Sequence, residues 1–205
     1  MSNSRFVSHL RLWLIVTPVL LATLAPMLPD DRHFEIDTDE LASVEALFGE
    51  DRADDLASRA NERFRAWFVD SGAIRRSYAG SAKQSLISDA GTAGIASVWM
   101  RHLWMELYRA IYRATVAGNW AWGALFFGAA MLNDGAVQRR IRAAAAGVAS
   151  PLGFHLAAHG LLIALGVCAS ALLLPVSLPA GIWTIAAACV GALAWRLAAS
   201  FHVNR

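Results

Sequence analysis

The amino-acid sequence predicts an all-α integral membrane protein with four transmembrane helices and a small helical segment between helices 1 and 2. Four apolar stretches, residues 12–28, 116–132, 151–174 and 178–195, contain almost no charge. Each is close to the ~20 residues a helix needs to cross a ~30 Å hydrocarbon core. Hydrocarbon offers the backbone no hydrogen-bond partner, so only helices or closed barrels span it, and runs this long are helical. The charges are also segregated. Of 16 acidic residues, 15 lie between Asp30 and Glu106 and the other is Asp134. Seven of 18 basic residues fall in three short segments: Arg5 and Arg11; Arg139, Arg140 and Arg142; Arg196 and Arg205.

The chain divides accordingly. Residues 1–29 hold a cytoplasmic stub and the first span. A basic start, an apolar run and Thr23-Leu24-Ala25 also fit a cleavable signal peptide. That run is long for one and Pro18 interrupts it, so an uncleaved anchor is expected. Residues 30–94 form a polar, helical segment. Asp37 followed by Glu40 resembles a capping box and opens a short helix that Gly49 ends. A second helix runs from about Asp51 to Val69, with Leu56, Ala60, Phe64 and Trp67 at helical spacing, and Ser71-Gly72 ends it. The Gly-, Ser- and Ala-rich stretch 77–94 is expected to be a flexible loop. From Ile95 a stripe of Val98, Trp99, Leu103, Leu107 and Ile111 predicts one long helix continuing to residue 133 as the second span. Residues 134–150 form a basic loop entered by a turn at Asp134-Gly135, residues 151–199 a helical hairpin, and residues 200–205 a tail.

Orientation follows from the arginines. Short basic loops stay in the cytoplasm. The N-terminus, the Arg139–Arg142 loop and the tail are all net basic, and four spans put them on one side. Both termini are therefore predicted to be cytoplasmic in a bacterial inner membrane, and residues 30–113 periplasmic. A segment longer than ~60 residues translocates largely regardless of its charge. Trp13, Trp120, Trp122, Trp183 and Trp195 lie near span ends, where amphipathic rings anchor at the headgroups.

No catalytic constellation is present. A Gly-rich phosphate loop, Gly-x-Ser-x-Gly, His-Glu-x-x-His and paired-cysteine metal spacing are all missing from the sequence, which excludes an ATPase on motif grounds and argues against a protease. No enzyme activity, cofactor or metal is expected. Cys168 and Cys189 fall inside spans and behave as small apolar residues. His155 and His159 share a helical face, with His202 at a similar depth; interhelical hydrogen bonding explains them better than metal or haem ligation. Ala124 with Gly128 and Ala187 with Gly191 are small residues at i, i+4, faces that let helices approach closely. Three arginines after Asp134-Gly135 suit anionic headgroups, and positive-inside anchoring alone explains them.

The run Arg101-His102-Leu103-Trp104 through Tyr108-Arg109-Ala110-Ile111-Tyr112-Arg113, then Asp134-Gly135 to Arg139-Arg140-Ile141-Arg142, then Ser150-Pro151-Leu152-Gly153-Phe154-His155, resembles the DUF4400 family. These are small inner-membrane proteins of integrating conjugative elements and related plasmids. The resemblance covers about residue 98 to the C-terminus. It implies a non-enzymatic accessory or adaptor protein in conjugative DNA transfer, packing against the coupling-protein ATPase or other subunits of a type IV secretion channel. It supplies no catalytic residues. On the matched motifs, Asp134, Arg139, Arg140, Arg142, Ser150, Pro151 and His155 are the expected partner- or lipid-binding site on the cytoplasmic face. Membrane lipids are expected partners and a homo-oligomer is compatible. Direct nucleic-acid contact is not expected, because three close arginines are a small footprint. The alternative is an exclusion or immunity-like membrane protein acting in the recipient through its periplasmic segment.

Overall fold

The computed structural model describes residues 5–84, 90–145 and 151–201. Among the described residues the chain is helical, with no strand. Helix α1 (Arg5–Arg11) passes through one wide π turn, Leu12–Val16, into α2 (Thr17–Leu24), and a 3-10 turn, Ala25–Met27, completes the run. Pro18 explains the wide turn. It has no N–H and its ring crowds the carbonyl four residues back. Thr17 compensates by donating its backbone N–H and, at 2.9 Å, its hydroxyl to the Leu12 carbonyl.

Three helical runs are long and apolar enough to cross a membrane: Phe6–Met27, Pro151–Leu173 (α8) and Ile182–Ser200 (α9). The predicted fourth, residues 116–132, does not form one uninterrupted apolar helix. Helix α6 (Ala90–Ala117) ends at a 3-10 turn, Gly118–Trp120, and α7 (Ala121–Ala144) begins after it. The helix predicted over 95–133 thus tightens into a 3-10 turn at Gly118–Trp120, with right-handed helical dihedrals at Ala117 and Ala121 on either side. The apolar part of α7, from Ala121 to Leu132, rises roughly 18 Å, and Asn133, Asp134, Gln138 and three arginines follow on the same helix. Asp134-Gly135 is accordingly a mid-helix pair and not a turn. Residues 134–144 are helical where a loop was predicted, and Gly135 packs closely on Trp195 and Ala198 of α9.

The chain divides into two compact units. One contains Met1–Pro18, Ala117–Ser170 and Gly181–Arg205. Its closest seam joins α7 and α9 at glycines. A Cβ added at Gly135 would fall 2.5 Å from the Trp195 carbonyl oxygen and 2.9 Å from Ala198 Cβ. Gly191, buried, lies against the Phe127 ring. Gly128, in contrast, has nothing within 4 Å of where a Cβ would stand. Gly128 therefore takes no part in the α7–α9 seam among the described residues. Registry chose Gly135, two helical turns further on. Ala187 is half-buried on α9, one turn before Gly191.

The other unit contains Val19–Val116 and Ala171–Ala180. Helix α3 (Thr38–Phe48) starts at Asp37, whose carboxylate accepts from the Asp39 N–H at 3.2 Å. Gly49 ends it at φ +84°, a conformation that favours glycine. Helix α4 (Glu50–Phe64) continues into a π turn, Arg65–Val69, and Gly72 at φ +73° redirects the chain into α5 (Ala73–Gln84). Residues 77–84 and 90–94 are thus helical where a loop was expected; residues 85–89 lie outside the described ones. The Ser77 hydroxyl, which accepts from Trp104 Nε1 at 3.1 Å, ties α5 to α6. Phe34, Val44, Leu56, Ala60, Tyr112 and Val116 form the buried apolar core.

Candidate functional site

The buried face of α6 is mostly polar, with Tyr112 and Val116 its apolar members. His102, Glu106, Arg109 and Arg113 are all buried, whereas Ile95, from the predicted apolar stripe, is 71% exposed and Val98 is also exposed. The spacing of four, three and four residues puts these polar groups on one side of the helix.

At one end, Arg113 grips Glu40. Arg113 Nε donates to Glu40 Oε1 at 2.7 Å and NH2 to Oε2 at 2.6 Å, a two-pronged pair that is 1% and 3% exposed. NH1 also donates to the Ala171 and Leu174 carbonyls at 2.9 and 2.8 Å, and NH2 to the Val176 carbonyl at 2.5 Å. All five guanidinium N–H groups are satisfied. The last carbonyls of a helix lack partners within it, and here Arg113 supplies them for α8. Glu40 Oε2 also accepts from the Leu178 N–H at 3.2 Å, while Ser43 Oγ accepts from the Ala180 N–H at 2.9 Å. Glu40 therefore does not reach back to Asp37 as a capping box requires; its carboxylate is committed to Arg113.

At the other end, His102 Nε2 lies 2.7 Å from Asp31 Oδ1 and Nδ1 lies 3.0 Å from the Pro26 carbonyl. Phe34 stacks on the imidazole at 4.5 Å, and Arg101 NH2 donates to the same Asp31 oxygen at 2.7 Å. Trp99 Nε1 donates to the Thr23 carbonyl at 3.0 Å.

Between these anchors lie Glu106 and Arg109, whose hydrogen-bonding groups are incompletely partnered. Both Glu106 carboxylate oxygens, and Arg109 Nε and NH2, are buried without a hydrogen-bond partner. Arg109 NH1 alone is satisfied, donating to the His33 carbonyl at 2.5 Å. Burial pushes the Glu106 carboxyl up to about 7 although Arg109 opposes the shift. Burial, then the nearby Arg113 charge, pulls Arg109 down to about 10.

A cavity of about 480 Å³ opens beside α6, walled by Phe34, Phe64, Ile74, Trp104, Met105 and Tyr108 with Arg101 at its edge. Phe64 meets Tyr108 edge-on at 5.4 Å and Phe68 meets Trp104 at 5.3 Å, so aromatic contacts hold its walls.

The residues predicted as the cytoplasmic-face site fall in the other unit and are only partly brought together. Asp134 Oδ2 accepts from Trp195 Nε1 at 2.7 Å. Arg139 stands 5.6 Å from the centre of the Phe201 ring, which meets Phe154 edge-on, and Phe154 in turn meets His155. Arg140 is exposed and Arg142 half-exposed near the end of α7; Pro151 opens α8 and is exposed. Ser150 and His202 lie outside the described residues. His159 packs against His9 at 4.8 Å, and no group of three or more His, Cys, Asp or Glu that could hold a metal occurs among the described residues.

Sequence reasoning missed the charged face of α6. The i, i+4, i+7, i+11 series from His102 to Arg113 was the available signal, and charges at that spacing are ordinarily solvated.

These features define an all-helical, membrane-associated protein with a folded segment outside its apolar helices. The chain belongs to the DtrJ-like family, described as IncC plasmid conjugative DNA transfer protein DtrJ-like, whose model matches residues 34–202. The match supports the expected association with conjugation, without carrying the DUF4400 name, and it extends to residues 34–97, ahead of the run that carried the resemblance. No curated protein and no solved structure matches the chain.

Proposed function

We propose that this protein is a non-enzymatic inner-membrane adaptor of a conjugative DNA-transfer system, packing against the membrane helices of the coupling-protein ATPase. The observation that carries the reading is membership of a conjugative-transfer family over residues 34–202, joined to three membrane-length apolar helices. In this reading α7 is the fourth span. Its seam with α9, at Gly135 and Gly191, supports insertion beside a helix that is itself long and apolar enough to cross. Both termini and Arg139–Arg142 are cytoplasmic, residues 30–113 are periplasmic, and the arginines meet an acidic surface of the partner. Exposed Arg140 suits that contact.

The test is a gentle-detergent pull-down of tagged protein from donor cells with mass spectrometry of its companions. Recovery of a coupling ATPase or channel subunits supports the adaptor. Replacing Arg139, Arg140 and Arg142 by Glu should abolish both co-purification and transfer. Orientation is measured in the same variant by cysteine labelling, because reversed charges can flip a topology. Intact transfer in a correctly oriented variant overturns the reading.

A further inference from the structure

We propose that the aromatic cavity beside α6 holds one acyl chain of an anionic phospholipid, with Arg101 taking the headgroup phosphate. The adaptor role is not needed for this; a membrane crossing by Phe6–Met27 is. Three observations converge.

The first is chemistry. About 480 Å³ lies within the range of small-molecule sites, and the walls (Phe34, Phe64, Ile74, Trp104, Met105) are apolar. The second is location. Trp99 bonds to the Thr23 carbonyl and His102 contacts the Pro26 carbonyl, in the final turns of Phe6–Met27. Trp104 and Met105 lie two and three residues past His102, about 3–5 Å along the helix. The slot therefore opens where hydrocarbon gives way to headgroups.

The third is charge. Arg101 is half-exposed and, among the described residues, bonds through NH2 to Asp31, with its other donors turned to a phosphate oxygen in this proposal. Arg75 and Arg76, both exposed, follow the wall residue Ile74 on α5. Beyond them, Arg65 and Trp67 are exposed on the π turn. Exposed tryptophans anchor at the headgroup level of a membrane, and arginine guanidinium groups pair with phosphate oxygens. Glu35 is the one acidic side chain on the lining. A water-soluble partner would have no need of an apolar slot within a turn of a span, so a lipid is the occupant this placement favours.

The test uses full-length protein in nanodiscs containing phosphatidylglycerol with a photoactivatable group on its acyl chain, and maps the adducts by mass spectrometry. Adducts are expected on Ile74 and Met105 as well as on the spans. Ile74→Trp, which fills the slot, should remove the Met105 adduct while span labelling persists. Arg101→Gln should lower the preference of cavity labelling for phosphatidylglycerol over phosphatidylcholine about fivefold. Span labelling without cavity adducts in the wild type overturns the proposal and leaves the slot to an apolar side chain of a protein partner. Equal cavity labelling by both lipids overturns the headgroup assignment. The wild-type map and the Arg101→Gln ratio decide the point even if Ile74→Trp fails to fold.

Discussion

Arg113 and Glu40, 73 residues apart in sequence, form a two-pronged ion pair that is almost completely buried and around which the 171–180 segment is hydrogen-bonded. A buried pair contributes little net stability against an apolar replacement, but breaking it strands a charge at a cost of about 3–5 kcal/mol. Arg113→Ala and Glu40→Ala should each destabilise the protein by that order, read by denaturant unfolding in detergent or by abundance in cells. Arg113→Lys should rescue only part of the loss, because an ammonium has three donors where five are used. The Glu40→Met, Arg113→Met double variant should recover part of it as well, held back by the carbonyls at Ala171, Leu174 and Val176 that lose their donor. If Arg113→Ala unfolds like the wild type, this pair does not anchor the segment.

Glu106 predicts a pH dependence of definite sign. Its carboxyl is raised to about 7 in the folded chain from 4.5, so between those values the folded state holds a proton that the unfolded state has lost. Stability then falls as pH rises through that window and levels off above it. The full effect is of order 3 kcal/mol. Glu106→Gln, uncharged throughout, should flatten the profile between pH 4.5 and 7 and be more stable than wild type at pH 8. Parallel profiles for the two proteins would rule out this carboxyl as their source.

The helices were legible in the sequence because local rules wrote them: Asp37 as a cap, Gly49 and Gly72 as stops, apolar periodicity through α4, and uncharged runs in α8 and α9. Residues 77–84 and 90–94 are helical although their Gly, Ser and Ala content suggests a loop, and the contact from Trp104 to Ser77 holds α5 against α6. The charged cluster was illegible for a different reason. Helical periodicity sorts residues by face but does not say which face is covered. In α6 much of the covered face is polar and Ile95 is exposed, an arrangement set by partners such as Glu40 and Asp31, about 70 residues away. Of the predicted cytoplasmic-face residues, Asp134 and Arg139 have found specific partners, in Trp195 and Phe201.

Two glycines on α7 should respond oppositely to substitution. Gly135→Ala must push a methyl against the Trp195 carbonyl, a backbone atom that cannot swing away, and should cost about 1–3 kcal/mol through overpacking. Gly128→Ala meets nothing within 4 Å and should be neutral or slightly stabilising through helix propensity. Disulfide trapping between cysteines placed on α7 and α9 reads the seam directly: Gly135→Ala should lower the yield and Gly128→Ala leave it unchanged. Equal yields in both would mean that α7 and α9 do not meet at Gly135.

The bond from Trp195 Nε1 to Asp134 predicts coupling between α9 and α7 that charge alone would not produce. Asp134→Asn retains an acceptor oxygen and should leave stability within about 0.5 kcal/mol, whereas Asp134→Ala removes the partner of the indole N–H and should cost about 1 kcal/mol. Trp195→Phe deletes the donor while keeping most of the ring. In a double-mutant cycle with Asp134→Ala it should show a coupling energy of about 0.5–1.5 kcal/mol, in line with hydrogen bonds between membrane helices. Additive single effects, with Asp134→Asn as damaging as Asp134→Ala, would instead assign the role of Asp134 to its charge, as a marker of the membrane boundary on α7.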